Sequence, residues 1–343
     1  MKRQLAALLL TIFALSLTAC GETAAESKTR TVYAMDTVMN LTVYGENAAA
    51  ALESAEKELH TLDEAVLSRT AEGSELYALN TSNGETVEYG ADDILPALIE
   101  TALTISDATE GAFDPTLAPV LDAWGFTKDE RRVPSADELK ELLSHTGCGK
   151  VALEKTADGW TVTLLDGAQL DLGGIAKGYA AGRVRTILRE AGVTSAIISL
   201  GGNVAAVGKK PDGSAWTVGL QDPDNPEAYF GTVSIEDACV VTSGAYQRYF
   251  EENGVCYHHI LDPHTGCPAE SGLKSVSVVA KDDTLADALS TALFVMGLDA
   301  GAELWNSSGL SFEAVFVTDD NTVWITPGLA GRYRSDRPYQ ILE

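Results

Sequence analysis

The stretch from Lys150 to Gly202 constrains the fold most. Apolar and polar residues alternate from Lys150 to Leu172 around Asp158-Gly159, the signature of a hairpin. The chain then turns on Gly173-Gly174 and enters a helical repeat from Ile175 to Glu190, closed by Gly192. It returns as an apolar run, Ser195 to Leu200, that ends at Gly201-Gly202. Elsewhere, Thr31 to Tyr44 reads as extended, and helices are expected over Glu46 to Leu67, Asp92 to Thr109 and Thr284 to Met296, the last stopped at Gly297. Ser135-Ala136-Asp137-Glu138 is a capping box that opens a helix toward Ser144. Strands are expected at Trp216 to Leu220, Gly231 to Ile235, Ala238 to Thr242 and Ser275 to Ala280. Strands and helices are intermingled, with several hairpins. The class is mixed α/β of the α+β kind, with largely antiparallel sheets flanked by helices, not a regular βαβ array.

The N-terminus speaks to the compartment. Lys2 and Arg3 precede an apolar run from Leu5 to Leu17, and Leu17-Thr18-Ala19-Cys20 follows at once. This reads as a lipoprotein signal peptide over residues 1–19, with Cys20 acylated and the product held at the extracytoplasmic face of the cell membrane. The run is too short to span a bilayer comfortably. Residues 20–30 are polar and read as a flexible tether, which leaves a folded body over 31–343, as one large domain or two intimately packed lobes.

The chain has 24 Lys+Arg against 50 Asp+Glu, a net charge of −26. Residues 1–19 contain Lys2 and Arg3 and no acid, so their removal takes the charge to about −28. Such a surface argues against nucleic acid, and against binding anionic lipid by charge. Any phosphate must be neutralised locally, by a metal, a Lys or a helix N-terminus. Cys148, Cys239, Cys256 and Cys267 show no CxxC or metal-ligand spacing and read as free thiols, although export leaves one bridge open.

Four segments carry chemistry. Asp171-Leu172-Gly173-Gly174-Ile175-Ala176-Lys177-Gly178-Tyr179 ends a strand, turns on two glycines and opens a helix, so its backbone N–H groups can meet an anion beside Lys177. It is neither a Walker loop nor a dinucleotide fingerprint, and a plain tight turn explains it equally well. Asp287 and Thr291 stand at i and i+4 on one helix face, two hard oxygens that suit Mg²⁺; the alternative is a first-turn Asp with a back-bonded Thr. His258-His259-Ile260-Leu261-Asp262-Pro263-His264-Thr265-Gly266 gathers three of five histidines without zinc spacing, which suits one His as a proton-transfer or phosphate-contacting group, with Asp262 shaping the turn. Gly111-Ala112-Phe113-Asp114-Pro115-Thr116 offers a carboxylate able to hold a ring N–H, and Trp124 and Phe126 read as core aromatics.

In register along the chain stand Met35-Asp36-Thr37, Ser74-Glu75-Leu76 with Asn80, GAFDPT, WGF, DLGGIAKGYA, SLGGN, Trp216 to Pro223, TSGAY, HHILDPHTG and ADALSTA. Together, over about residues 31 to 320, they resemble the FAD:protein FMN transferase family, the ApbE type once described as thiamine-biosynthesis lipoproteins. The resemblance implies an ApbE-like fold with FAD between two lobes, contacted by Met35, Asp114, Asp171, Lys177 and Leu261. It implies Mg²⁺ held by the Gly174 carbonyl and the side chains of Asp287 and Thr291. The implied partners are exported or membrane acceptor proteins carrying a Ser/Thr flavinylation motif.

The reaction so implied is Mg-dependent cleavage of FAD, with FMN attached through a phosphoester to the acceptor and AMP released. Lys177 and Asp287 would serve it directly, and His259 would assist the attacking hydroxyl or bind phosphate, with His258 as the alternative. A Mg-dependent FAD pyrophosphatase giving FMN and AMP, or a non-catalytic flavin-binding lipoprotein, are the competing expectations. Ser243-Gly244-Ala245 resembles the acceptor motif Asp-x-x-Ser/Thr-Gly-Ala-Ser/Thr, but Val240 and Tyr246 replace two of its polar residues. The chain therefore reads as enzyme, not acceptor.

Overall fold

A computed structural model describes residues 26–343 apart from 127 and 129. The signal-peptide reading and Cys20 lie outside the described residues. A nine-stranded sheet forms the centre. Its order is Ser27–Ala34, Thr37–Tyr44, Ser195–Leu200, Asn203–Gly208, Cys239–Gly244, Leu273–Ala280, Phe312–Thr318, Val323–Ile325, Tyr339–Ile341. Every neighbouring pair is antiparallel except the last, which is parallel. The expected class holds.

Alternation along these strands separates two apolar faces. Met39, Leu41, Ile198, Ala205, Val241, Val276 and Val278 face a helical layer built mainly from Ala48–Thr61, Ile94–Ala108, Ala176–Glu190 and Asp283–Ser307. Ala206, Val240, Val279, Val315 and Val317 face the other way, onto a three-stranded sheet of Trp216–Asp222, Asn225–Ile235 and Tyr333–Arg334. A second small sheet, Val87–Gly90, Gly159–Leu164 and Val151–Lys155, contains the expected hairpin at Asp158-Gly159. A third cluster joins Trp124, Phe126, Leu139 and Leu261; Trp124 stacks on Phe126 and donates its indole N–H to the Gly266 carbonyl at 2.7 Å.

Some boundaries differ from expectation. The first strand begins at Ser27, so the folded body starts inside the stretch read as tether. Ser27 to Thr31 are exposed, and they pair with Tyr44 to Asn40 through the backbone and two exposed side-chain bonds, Thr29 to Thr42 and Thr31 to Asn40. The first helix begins at Ala48 and ends at Thr61, widening into a π-helical turn over Leu62–Leu67. The Asp283 helix breaks at Gly297 (φ 80°, ψ −179°) and then resumes to Ser307. Its apolar length matches that of a membrane span, but Leu289, Leu293 and Phe294 are buried in the core. Burying each contributes about 1.5–3 kcal/mol.

Candidate active site

The Gly-Gly turn and the Asp283–Ser307 helix meet, as the two local motifs require of a single site. Asp287 is 3% exposed, and its Oδ2 accepts from the Gly178 N–H at 2.7 Å. Gly178 is the third residue of the Ala176–Glu190 helix, which has no side-chain cap of its own. A carboxylate from another helix therefore satisfies one of the free N–H groups of that first turn and sits at the positive end of its dipole. Oδ1 of the same carboxylate lies 3.8 Å from Lys177 Nζ. A Cβ built on Gly174 would lie 3.7 Å from Thr291 Oγ1 and 3.0 Å from the Phe113 ring, which places the turn against Thr291.

Hydroxyls extend the cluster. Ser243 Oγ is 2.7 Å from Ser290 Oγ and 3.4 Å from Thr291 Oγ1, and Ser290 donates to the Asp287 carbonyl at 2.8 Å. The TSGAY strand is thereby laced to the helix that carries the pair.

Asp171 braces the turn. Its Oδ1 accepts from the Gly173 N–H at 2.7 Å, its Oδ2 pairs with Arg69 Nε at 2.7 Å, and its own N–H donates to the Pro115 carbonyl at 2.8 Å. The last bond sets GAFDPT beside DLGG. Arg69, which also grips Asp122 at 2.8 Å, was not legible as a site residue, since nothing local distinguishes it from other loop cations. Asp114 Oδ1 takes the Thr116 N–H and hydroxyl at 2.7 and 2.6 Å, so the carboxylate is held by its own turn. Only the rest of that carboxylate remains for a ring N–H.

The two histidines part company. His258 Nε2 meets the Ala269 carbonyl at 3.2 Å, and its ring sits edge-on to Phe294. The Nδ1 of His259 lies 3.2 Å from the Arg248 carbonyl, a contact that fixes the proton on Nδ1 and leaves Nε2 as an acceptor. Burial first, then the Arg248 guanidinium and the nearby Lys177 ammonium, push the His259 imidazole down to about 4. The neutral ring, within electrostatic range of Lys177, is in the form a proton acceptor needs. Asp262 shapes its turn, accepting from the His264 N–H at 2.8 Å.

Stability should therefore depend on pH here. An unfolded imidazole titrates near 6.5, so between there and about 4 the unfolded chain binds more protons. The contribution is complete above 6.5 and is lost as pH falls through about 4. His258, also lowered chiefly by burial, adds a slope of the same sign. Denaturant melts of His259→Gln should show a shallower acid dependence than wild type; an unchanged slope would refute the burial assigned to this ring.

Met35 and Leu261 stand apart from the cluster. Met35 (φ 50°) and Asp36 (φ 55°) make the turn between the first two strands, at the sheet end that also carries Ser243. The Leu261 side chain is buried against the Trp124 cluster, and Leu261 faces Pro268 in a bridge bonded through Asp262 N–H to Cys267 O and Ala269 N–H to Ile260 O. The Leu261 backbone groups point away from that bridge. All four described cysteines are free.

Among the described residues no group of three or more His, Cys, Asp or Glu could hold a metal. Any cation here must use backbone and hydroxyl oxygens with one carboxylate, and borrow the remainder from a phosphate or water. That donor set fits a hard ion such as Mg²⁺.

Residues 35–316 match the family model described as the ApbE family. A Treponema pallidum protein described as FAD:protein FMN transferase is 36% identical over 330 residues, 92% of this chain and 91% of its own. A Thermotoga maritima ApbE protein superposes with a TM-score of 0.82 at 33% identity, covering 90% of this chain and all 100% of its own. The apo form of the Pseudomonas stutzeri flavinyl transferase ApbE gives 0.74 at 32% identity, covering 86% and 92%.

Proposed function

Because the chain belongs to the ApbE family, we propose that it is a FAD:protein FMN transferase, cleaving FAD and attaching the FMN half to a Ser or Thr of another protein. The observation that carries this reading is the junction of Gly174, Lys177, Asp287 and Thr291 at one helix N-terminus. Mg²⁺ held by the Gly174 carbonyl, Asp287 and Thr291 would supply the positive charge that brings a diphosphate into a chain of net charge −26.

The chain's own groups do the rest. Lys177 contributes charge at the helix start, where the positive end of the helix dipole favours an anion. Asp171, braced by Arg69, sets the turn, and Met35, Asp114 and Leu261 contact FAD. The acceptor hydroxyl oxygen bonds to the FMN-side phosphorus as the bond to the AMP oxygen breaks; AMP leaves, and the hydroxyl proton passes toward His259 Nε2. The products are an FMN phosphoester on the acceptor and AMP. Residues 1–19 act as a signal peptide, and Cys20 anchors residues 20–343 to the outer face of the cell membrane.

The test is incubation with FAD, Mg²⁺ and a domain bearing the acceptor motif. Covalent FMN on the acceptor, seen by mass spectrometry, supports transfer; FMN found only free in solution makes the enzyme a pyrophosphatase instead. Lys177→Ala should lower kcat/KM about 10- to 100-fold, with affinity and rate falling together. A variant as active as wild type would remove Lys177 from the site.

A further inference from the structure

One motif has no part in the chemistry above: Ser199-Leu200-Gly201-Gly202-Asn203. We infer that Asn203 binds the substrate, its carboxamide donating to an oxygen of the dinucleotide's diphosphate. The assignment rests on the transferase reading of the neighbouring cluster.

The side chain is 4% exposed, and its Nδ2 is buried with no hydrogen-bond partner among the described residues. A buried amide donor left unpaired is destabilising, so such groups are rare without a reason. Strand alternation says which way it points. Ala205 and Val207, its same-face neighbours, pack with the helical layer, whereas Ala206 packs on the opposite face. Asn203 therefore faces the layer that carries Lys177, Asp287 and Thr291.

Register says where it stands. Cys239 pairs with Ala205 and Val240 with Val204, so the next step sets Asn203 opposite Val241. Ser243 is the following residue on that face, a diagonal neighbour about 7 Å away. Ser243 is itself 3.4 Å from Thr291 Oγ1. On the other side, Gly201 (φ 58°) donates to the Val38 carbonyl at 3.3 Å, and a Cβ there would strike Thr37 at 2.5 Å, so the turn lies against the Met35–Asp36 turn. Gly202 (φ 100°) has nothing within 4 Å of where a Cβ would be, so the turn is open beside the residue that carries the buried amide. Asn203 thus lies between the turn assigned to FAD and the serine hydroxyls beside Thr291, whose own hydroxyl is assigned to the metal. A neutral donor placed there meets a diphosphate oxygen without the charge repulsion that the acidic chain imposes elsewhere.

Two measurements separate a binding role from a structural one: FAD titration by fluorescence with Mg²⁺ present, and thermal unfolding without ligand. Asn203→Ala should weaken FAD binding about tenfold or more, because a hydrogen bond to a charged group is lost. Its ligand-free melting temperature should stay level or rise, because the unpaired donor is gone. Asn203→Asp, which replaces the donors by an acceptor, should bind FAD more weakly than Asn203→Ala. The assignment is overturned if Asn203→Ala binds FAD within twofold of wild type, or if it melts several degrees lower without ligand while binding FAD normally. A wild-type protein that fails to bind FAD overturns the transferase reading itself, and this assignment with it.

Discussion

Asp287→Ala is expected to lower FMN transfer by about three orders of magnitude, the scale of losing a preorganised charge at a phosphoryl-type transfer site. Two jobs end together. The carboxylate is the only charged group in the proposed metal set, and it is also the acceptor for the Gly178 N–H. Leaving that N–H buried and unpaired costs about 1–3 kcal/mol, so the variant should also melt at a lower temperature. Asp287→Asn separates the effects, since an amide oxygen can still accept from Gly178 while the charge is gone. It should keep most of the stability and little of the turnover, with FAD binding weakened only partly in both variants. Transfer within tenfold of wild type in Asp287→Ala would refute the site.

Gly178→Ala should be nearly as damaging, for a reason that reverses the usual sign. Alanine inside a helix is favoured over glycine by up to about 1 kcal/mol, and propensity alone predicts a stabilised protein. Packing predicts the opposite. A Cβ at 178 would lie 2.2 Å from the Asp283 carbonyl oxygen and 2.6 Å from the Asp287 Cβ, atoms that move only if the helices move. Overpacking of this kind costs about 1–3 kcal/mol or more, and it would push Asp287 off the turn it caps. Turnover should fall at least about 100-fold, because displacing a catalytic group by an ångström is costly on that scale. Gly182→Ala, one turn on, is the control. Its nearest neighbour is Asp283 Oδ2 at 3.7 Å, an ordinary contact, so that variant should be neutral or slightly more stable. If both variants behaved alike, close helix approach would not be what glycine provides at 178.

The contrast between these two glycines shows where sequence reading stops. Asp287 and Thr291 are legible as a pair because helical geometry is local, and the Gly-Gly turn is legible for the same reason. Their meeting is tertiary, and only the family resemblance pointed to it. Gly178 carries no local mark that separates it from Gly182, and Arg69 none that separates it from other loop cations. The strand Asn203–Gly208 is not legible because Val-Ala-Ala-Val is buried on both faces and shows no alternation of polarity. Phe312–Thr318 carries a local signal, aromatic and β-branched residues ahead of the turn residues Asp319-Asp320-Asn321. The early start of the first strand was invisible for a physical reason. Residues that pair through backbone while their side chains stay in solvent have the composition of a linker.

That early start would limit how far an enzyme anchored at Cys20, as proposed, can roam. Under the proposed lipid anchor on Cys20, the seven residue steps from Cys20 to Ser27 would span no more than about 25 Å before the sheet begins. The strand then runs eight residues, about 26 Å, to the Met35 turn at its far end. Such a leash would be short relative to the body, and would hold the proposed flavin-handling rim within a thin layer above the bilayer. Acceptors held in that layer would then meet it often, and those that drift free of the membrane would meet it rarely.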